Sequence, residues 1–308
     1  MKKVLITGGA GFLGTRLAEA IDWADDILLA DITEAQDTPE SVRATIADIS
    51  KPEDIARIVT PDITDIFHFG AVVSSGAEAD FDLGMRVNLD GTRQLLEACR
   101  ALPSPPTMVF ASSCAIFGSH GGELSSDAAS RPESSYGAQK ACGELLVNDY
   151  ARKGFIRGVS CRLPTVVVRP GKPNLAASSF ASSIIREPIH GRRTTCPVNG
   201  DTRLWLGSVK SVIAKFLKAH QLAKADSLPT YRAFNSPGIT LTIHEMIDAL
   251  ERAGGDTSLI DWEFDPAIHA IVSSWPSALD VTPELELGFT RDTDFAEVID
   301  DYRAWYAS

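Results

Sequence analysis

Tyr136 and Lys140 stand four positions apart in the run "SSYGAQKACGELL" (134–146). On a helix, that spacing puts both side chains on one face, one turn apart. A free phenol has a pKa of about 10, too high for an efficient base near neutrality. A neighbouring ammonium stabilises the phenolate and lowers that value, so the pair has the parts of a proton acceptor for an alcohol. An isolated pair of this kind decides nothing, because many helices carry such neighbours. Its meaning depends on what else the chain brings to the same place.

Three other features point to one crevice. "TGGAGFLG" (7–14) sets Gly8, Gly11 and Gly14 between an apolar run and a helical pattern that opens with Phe12 and Leu13. Such a turn lets backbone N–H groups approach a pyrophosphate at the positive end of a helix. Asp31 closes the second apolar run. A carboxylate there accepts both adenosine ribose hydroxyls and repels a 2′-phosphate, which favours NAD over NADP. Ile32 and Thr33 after it carry no positive charge, although Arg16 is near the turn. Asp48, at the end of the third run, either bonds the adenine amine, with Ile49 on the ring, or caps the next helix. Ser112 and Ser113 end the fifth run. In an open parallel sheet that edge is where ligands collect, and there Ser113 would hold the substrate oxygen beside Tyr136.

The elements that must position these groups alternate. Short β-branched runs at 3–7, 26–31, 43–48, 65–71, 107–113 and 157–168 read as strands, separated by amphipathic helical stretches that include 81–99 and 134–153. That alternation predicts an α/β fold, a Rossmann-type doubly wound parallel sheet with a small C-terminal substrate-binding region. The expected division is 1–168 for the dinucleotide-binding part, with a strand near 231–237 returning to it, and 169–308 mainly for the smaller region.

A formal net charge of −12 argues against a nucleic-acid or anionic-membrane surface but not against a small anion held by a local basic group. The five cysteines (Cys99, Cys114, Cys142, Cys161, Cys196) have no redox or zinc-ligand spacing. They read as buried free thiols in a reducing compartment, so a cytoplasmic location is expected. No apolar run is long enough for a membrane span. No cluster of metal-ligating residues has metal spacing, and no metal is expected. His68 reads as a packed histidine, and Trp205 and Trp275 as pocket lids or core.

In these motifs the chain resembles the extended short-chain dehydrogenase/reductase family, whose members include sugar-nucleotide epimerases and dehydratases. "TGGAGFLG" matches the family's cofactor turn, "HFGA" the segment beside the cofactor, with Gly70 and Ala71, and "YGAQK" its Tyr-x-x-x-Lys. "NLDGT" makes Asn88 the counterpart of a structural or catalytic asparagine, and "SSCAIFG" puts the catalytic serine at Ser113. "RLPTVVVRPG" implies that the backbone of Leu163 and Pro164 meets the nicotinamide amide. The resemblance implies a Ser-Tyr-Lys mechanism in which Tyr136 takes a hydroxyl proton as hydride leaves for NAD, with Lys140 also on the nicotinamide ribose. Phe117 replaces a usual tyrosine and Thr165 a usual asparagine, which weakens an epimerase assignment.

"RPGKPNLAASSFASSIIREP" and a later "SSWP" are similar to a branch that oxidises four-carbon sugar acids next to the carboxylate. On that reading Ser74 and Ser75 bond hydroxyls, and Asn174 and Arg186 hold the carboxylate, near Ser178 and Ser179. Arg169 and Lys172 are rivals for that role, and Arg186 has an ion pair with Glu187 as its other reading. The family's helix pairing implies a homodimer, although the same apolar stripes would also serve for packing on the sheet. Competing readings are a sugar-nucleotide epimerase, a hexuronate dehydrogenase, and a non-catalytic protein that senses NAD.

Overall fold

The computed structural model describes residues 1–308 except 36–37, 40, 120–122, 172–175, 226–227 and 307–308. The first half runs β1 (Lys3–Thr7), α1 (Phe12–Ala20), β2 (Asp26–Asp31), β3 (Val42–Ile46), α2 (Pro52–Ile58) and β4 (Ile63–His68). It continues through α3 (Ser74–Ala79), α4 (Phe81–Gly84), a π-helical segment (Met85–Gly91), α5 (Thr92–Arg100), β5 (Thr107–Ser113), β6 (Glu123–Leu124) and α6 (Ser135–Arg152). Then come β7 (Arg157–Leu163), β8 (Thr165–Val167), α7 (Ser179–Ile189), β9 (Thr194–Cys196), β10 (Arg203–Ser208) and α8 (Val209–Ala223). The chain ends with β11 (Ala233–Asn235), β12 (Ile239–Thr242), α9 (Ile243–Arg252), β13 (Ile260–Trp262), α10 (Pro266–Ser273), β14 (Ala278–Leu279), α11 (Thr282–Glu286) and α12 (Phe295–Tyr306).

Seven strands form the central sheet in the order β11-β7-β5-β4-β1-β2-β3, every neighbouring pair parallel. This is the expected doubly wound Rossmann arrangement. The sheet is covered on both faces, as its near-continuous apolar strands require. Leu17 of α1 and Val212 and Phe216 of α8 pack with Val4, Ile6 and Phe67 on one face. Ile55 of α2, Leu95 of α5 and Val147 of α6 pack with Leu5, Ile66 and Met108 on the other.

Four expected boundaries move, each for a local reason. β3 stops at Ile46, so Asp48 falls in the turn before α2. β4 stops at His68, and the next residues leave the sheet to line the cavity described below. The stretch 157–168 is broken at Pro164, which lacks the N–H a ladder needs. Beyond it β8 joins a separate three-stranded sheet, β12-β10-β8. The stretch 81–99 is not one α-helix but α4, a seven-residue π-helical segment and α5. The returning strand β11 does pair with β7, as expected. The second half has its own core, where Ile184, Leu206, Met246 and Ile299 bring α7, β10, α9 and α12 together. No helix among the described residues is long and apolar enough to cross a membrane.

At the sheet edge opposite the glycine turn, Asp65 of β4 is buried to 1% exposure. It accepts from His220 Nε2 at 2.7 Å and from Lys224 Nζ at 2.8 Å, tying α8 to the sheet. Burial alone would push this carboxyl up, but the bonds from His220, Lys224 and Thr64 outweigh it and hold the group at about 2. A carboxylate lowered on folding stabilises the protein above its unfolded pKa of about 4, and that contribution is lost as pH falls toward 2. Asp65→Asn is expected to cost roughly 2 kcal/mol at pH 7 and to flatten the acid limb between about pH 4 and 2. Urea titration across that range checks it; an acid limb as steep as that of the unsubstituted chain would refute the assignment.

Candidate active site

The strand sequence reverses between β1 and β4, and a cavity of about 700 Å³ opens over their carboxyl ends. That is where an open α/β sheet leaves a crevice for ligands. Gly8 turns the chain out of β1 with φ +68°, and a Cβ there would lie 2.7 Å from the Gly70 nitrogen. The turn after β1 and the turn after β4 therefore touch through backbone alone. Gly11 caps α1 without a side-chain bond, and the first turn of that helix carries no acid. Its N–H groups are left for an anion, and the dipole favours one. Gly8, Gly11, Phe12, Leu13 and Gly14 all line the cavity, as do Gly70 and Ala71 from the opposite turn.

The adenosine end is built from strand ends. Asp31 accepts the Ala10 N–H at 3.1 Å with one oxygen and the Thr33 N–H at 3.2 Å with the other. It pins the glycine turn and still faces the cavity, between Ala30 and Ile32. Asp48 resolves into a third arrangement. Its Oδ1 accepts from the Ser50 backbone at 2.9 Å and the Ser50 hydroxyl at 2.7 Å, while α2 is capped at Lys51. Asp48 and buried Ile49 both line the cavity. A glycine turn leading into a helix N-terminus on the cavity wall, with carboxylates at and just after the next two strand ends, fits a dinucleotide.

Ser112 and Ser113 end β5, and Tyr136 opens α6 on the same cavity. Ser134 caps α6 by accepting the Gly137 N–H at 3.2 Å. Gly137 has no Cβ because one would stand 2.3 Å from the Ala115 carbonyl oxygen, so the helix starts hard against the turn after β5. Lys140, one turn on, is 2% exposed and donates from Nζ to the Ala111 carbonyl at 2.7 Å. The ammonium lies 4.7 Å from the Phe110 ring centre and 5.7 Å from that of Tyr136. Burial lowers Lys140 to about 7, against the pull of Glu144. Burial likewise pushes the Tyr136 phenol up to about 12, while the Ser113 hydroxyl and the Arg169 charge pull it down.

Other expected groups are placed differently. Leu163 and Pro164 line the cavity where β7 ends. Ser74 lines it too, and its hydroxyl accepts the Ala177 N–H at 3.1 Å. Ser75 does not line it, because the helical step from Ser74 turns it away. Asn88, expected with the catalytic groups, is also outside the lining. It bonds both backbone groups of Val72, at 2.7 and 2.9 Å, and Gln139, so it positions the loop after β4. Asn174 lies outside the described residues. Arg186 is a brace: it donates to the Arg169 carbonyl at 2.7 Å, to Ser183 and to Glu187, and does not reach the cavity. Arg169 does. Its guanidinium donates to Ser178 at 3.0 Å, its Nε has no partner, and burial and Arg186 lower it to about 10.

Some contributors gave no clear sign in the sequence. Glu144 and Arg162 form a buried pair at 3.0 Å that fastens α6 to β7 behind Lys140; the one hint was that Glu144 lies a further turn along the same face. Arg86 and Lys51 stand exposed on the cavity lining, with no periodicity to single them out. His68 is packed as expected, between Thr7 at 2.6 Å and Thr92 at 3.0 Å, and burial lowers it to about 3. Trp275 lines the cavity, whereas Trp205 belongs to a separate cluster with Phe117 and Leu279. All five cysteines are free; Cys142 is exposed, contrary to the expectation that all are buried.

The sequence from residue 4 to 235 matches the model of the NAD dependent epimerase/dehydratase family. The chain belongs to that family. It is 45% identical to a D-erythronate dehydrogenase of Haemophilus influenzae, with 97% of this chain and 98% of the relative covered. It is 44% identical to a D-erythronate dehydrogenase of Cupriavidus necator, with 97% of each covered. Among solved structures, one described as a nucleoside-diphosphate-sugar epimerase from Agrobacterium tumefaciens superposes with a TM-score of 0.89 at 35% identity, covering 99% of this chain and 94% of that one. The protein is an oxidoreductase that works with a nicotinamide cofactor on a small-molecule substrate.

Because burial lowers Lys140 to about 7, the unfolded chain binds a proton that the folded one lacks between pH 7 and about 10. Stability therefore rises with pH across that window. Lys140→Met is expected to raise Tm at pH 7 by roughly 2–4 °C. The gain should vanish by about pH 10, while kcat falls ~10²-fold or more. Calorimetry at both pH values checks this; an equal Tm difference at each would refute it.

Proposed function

We propose that this enzyme oxidises the secondary alcohol beside the carboxylate of a small sugar acid with NAD, D-erythronate to 2-dehydro-D-erythronate being the leading case. The observation that carries the reading is Arg169. It is a guanidinium on the wall of the Tyr136 cavity, with no acidic partner among the described residues and a buried Nε left unbonded. Holding such a charge out of water is costly unless an anion meets it, and a planar fork suits a carboxylate. The D-erythronate dehydrogenases at 45% and 44% identity support the same substrate class. Asp31, with no cation beside it, supports NAD over NADP.

The residues divide the work. Gly8 to Gly14 and the α1 amides hold the pyrophosphate, Asp31 the adenosine ribose, and Leu163 and Pro164 the nicotinamide end. Arg169 orients the acid so that the neighbouring carbinol meets Ser113 and Tyr136. Ser113 Oγ holds the carbinol oxygen, and Tyr136 Oη takes its proton. Lys140 bonds the cofactor's ribose and keeps positive charge beneath the phenol. NAD, when bound, supplies the acceptor for the hydride from the same carbon. The balanced outcome is a 2-oxo acid, NADH and one proton.

We also propose a cytoplasmic homodimer. Phe81 of α4 and Leu145 of α6 are 59% and 60% exposed, apolar surface that a second copy would cover. Five unpaired thiols suit a reducing compartment.

The decisive assay is NADH absorbance with four- to six-carbon sugar acids. Net NADH from a free acid separates this reading from an epimerase, which returns its cofactor unchanged, and from a non-catalytic sensor. Tyr136→Phe is expected to lower kcat by ~10²–10⁴-fold with NADH affinity retained. Arg169→Ala should raise KM for the acid ~10–100-fold, the loss of a charged hydrogen bond, with KM for NAD unchanged. Faster turnover with NADP, or an Arg169→Ala enzyme with the original KM, would sink the respective assignment.

A further inference from the structure

The last turn of α12 reaches α1, the helix whose N-terminus opens on the cofactor cavity. Trp305 and Tyr306 stand with ring centroids 6.3 Å apart and planes at 84°, so the two rings form a corner. The Arg16 guanidinium fills it, 5.1 Å from the Trp305 centroid and 4.7 Å from that of Tyr306. Arg16 Nε donates to Tyr306 Oη at 2.8 Å, and Nη1 donates to Glu19 at 2.6 Å. A guanidinium with two aromatic faces, a hydroxyl acceptor and a carboxylate is held in one place. The bond to Tyr306 joins residues 290 apart in the chain.

The corner is built on two cores. Trp305 packs on the core that contains Leu17 and Ala18 of α1. Tyr306 packs on the second core, and its ring lies 5.6 Å from that of Tyr302, whose hydroxyl is 2.9 Å from His190 Nε2 at the end of α7. Helix α12 is anchored without help from α1. Arg303 donates to the Ala253 carbonyl after α9 at 2.7 Å, and Asp301 accepts from Lys210 of α8 at 3.1 Å. Helix α1 has nine residues, and its N-cap, Gly11, makes no side-chain bond. Gly11, Phe12, Leu13 and Gly14 line the cavity, and Arg16 follows one turn behind Phe12. Leu17 and Ala18 turn to the sheet, while Arg16 turns to α12. The first-turn N–H groups of a helix bind an anion together, so a small tilt of α1 displaces all of them at once.

We infer that Arg16 is a positioning residue for the cofactor: clasped by Trp305 and Tyr306, it sets the tilt of α1, so the C-terminal helix contributes to nucleotide affinity without touching the nucleotide. Arg16, Trp305 and Tyr306 are all outside the cavity lining. Glu19 neutralises the guanidinium, so Arg16 acts through the helix and not as a free cation at the phosphates. The inference rests on the pyrophosphate placement given above for Gly8 to Gly14 and is independent of which alcohol is oxidised.

The test is a double-mutant cycle on the full chain, with NADH binding followed by fluorescence. Arg16→Ala and Tyr306→Ala are each expected to weaken NADH binding about 5- to 10-fold. The double variant should lose about as much as either alone, because both changes remove one contact; independent effects would multiply to at least about 25-fold. Tyr306→Phe keeps the ring and loses the acceptor, and should weaken binding about 2- to 3-fold. KM for the sugar acid at saturating NAD should stay within about twofold in every variant. A Tyr306→Ala protein with the original NADH affinity overturns the clasp even where Arg16→Ala loses affinity, since that pattern belongs to a cation acting on the phosphates directly. Variants with a lower Tm and unchanged NADH binding overturn it as well, and so does a rise in KM for the acid as large as the loss of NADH affinity. In the ligand-free protein, amide exchange over α1 should quicken in Tyr306→Ala, and unchanged exchange overturns the hold on the helix. Should Arg16→Ala fail to fold, Arg16→Lys, which keeps the charge without the Nε donor, takes its place in a cycle with Tyr306→Phe. A chain that prefers NADPH would overturn the cofactor choice proposed above, and the same cycle run with NADPH then decides the clasp.

Discussion

A lysine ammonium almost without access to water lies one turn from the Tyr136 phenol, and much of the structure serves to keep it there. Lys140 has one backbone acceptor, Ala111 O, and two aromatic faces, Phe110 and Tyr136. That is thin compensation for a buried charge, and its depressed pKa records the shortfall. The nearest counter-charge, Glu144, is shared with Arg162, which in turn bonds Asn235 of the returning strand β11. Helix α6, strand β7 and the last strand of the sheet, β11, are thus joined by one buried polar network. Such networks fix geometry because leaving any member unpaired is so unfavourable. Lys140 is held near neutrality because its surroundings offer it little solvation.

The substrate side repeats the same logic with a second cation. Pro164 ends β7, and the chain passes at once into β8 of a different sheet. Arg169 follows two residues after β8, so the change of sheet sets a guanidinium on the cavity wall, near enough to Tyr136 for its charge to act on the phenol. Arg186 from α7 then holds the Arg169 backbone rather than any ligand. Two arginines close together are mutually unfavourable, and here one is neutralised by Glu187 while the other has no acidic partner among the described residues.

Those relationships divide what could be read from the sequence from what could not. The cofactor half was legible because its chemistry is local. Gly8 is required by a turn seven residues from the start, Asp31 by the end of the next strand, and Tyr136 and Lys140 by helical periodicity. Arg186 was expected at the carboxylate with Arg169 as a rival, because linear spacing cannot say which of several nearby cations faces inward; the packing of α7 on the second core turns Arg186 to Ser183, Glu187 and the Arg169 backbone. Asn88 was expected at the chemistry, yet the π-helical segment aims it at the Val72 backbone, and no hydrophobic pattern announces an extra residue per turn. Pro164 was visible as a residue, but its effect on the sheet was not, since a continuous apolar run looks the same whether it serves one sheet or two.

The two halves consequently answer to different constraints. The glycine turn, Ser113, Tyr136 and Lys140 are tied to the parallel sheet, where displacing one strand end would disturb them together. On another side of the cavity, Arg169 and Ser178 in the link after β8 and Trp275 in the link after α10 adjoin a core largely separate from that sheet. The glycine turn, the serines and the Tyr136–Lys140 pair belong to β1, β5 and α6, and the wall beside them to a few side chains that the second core places there.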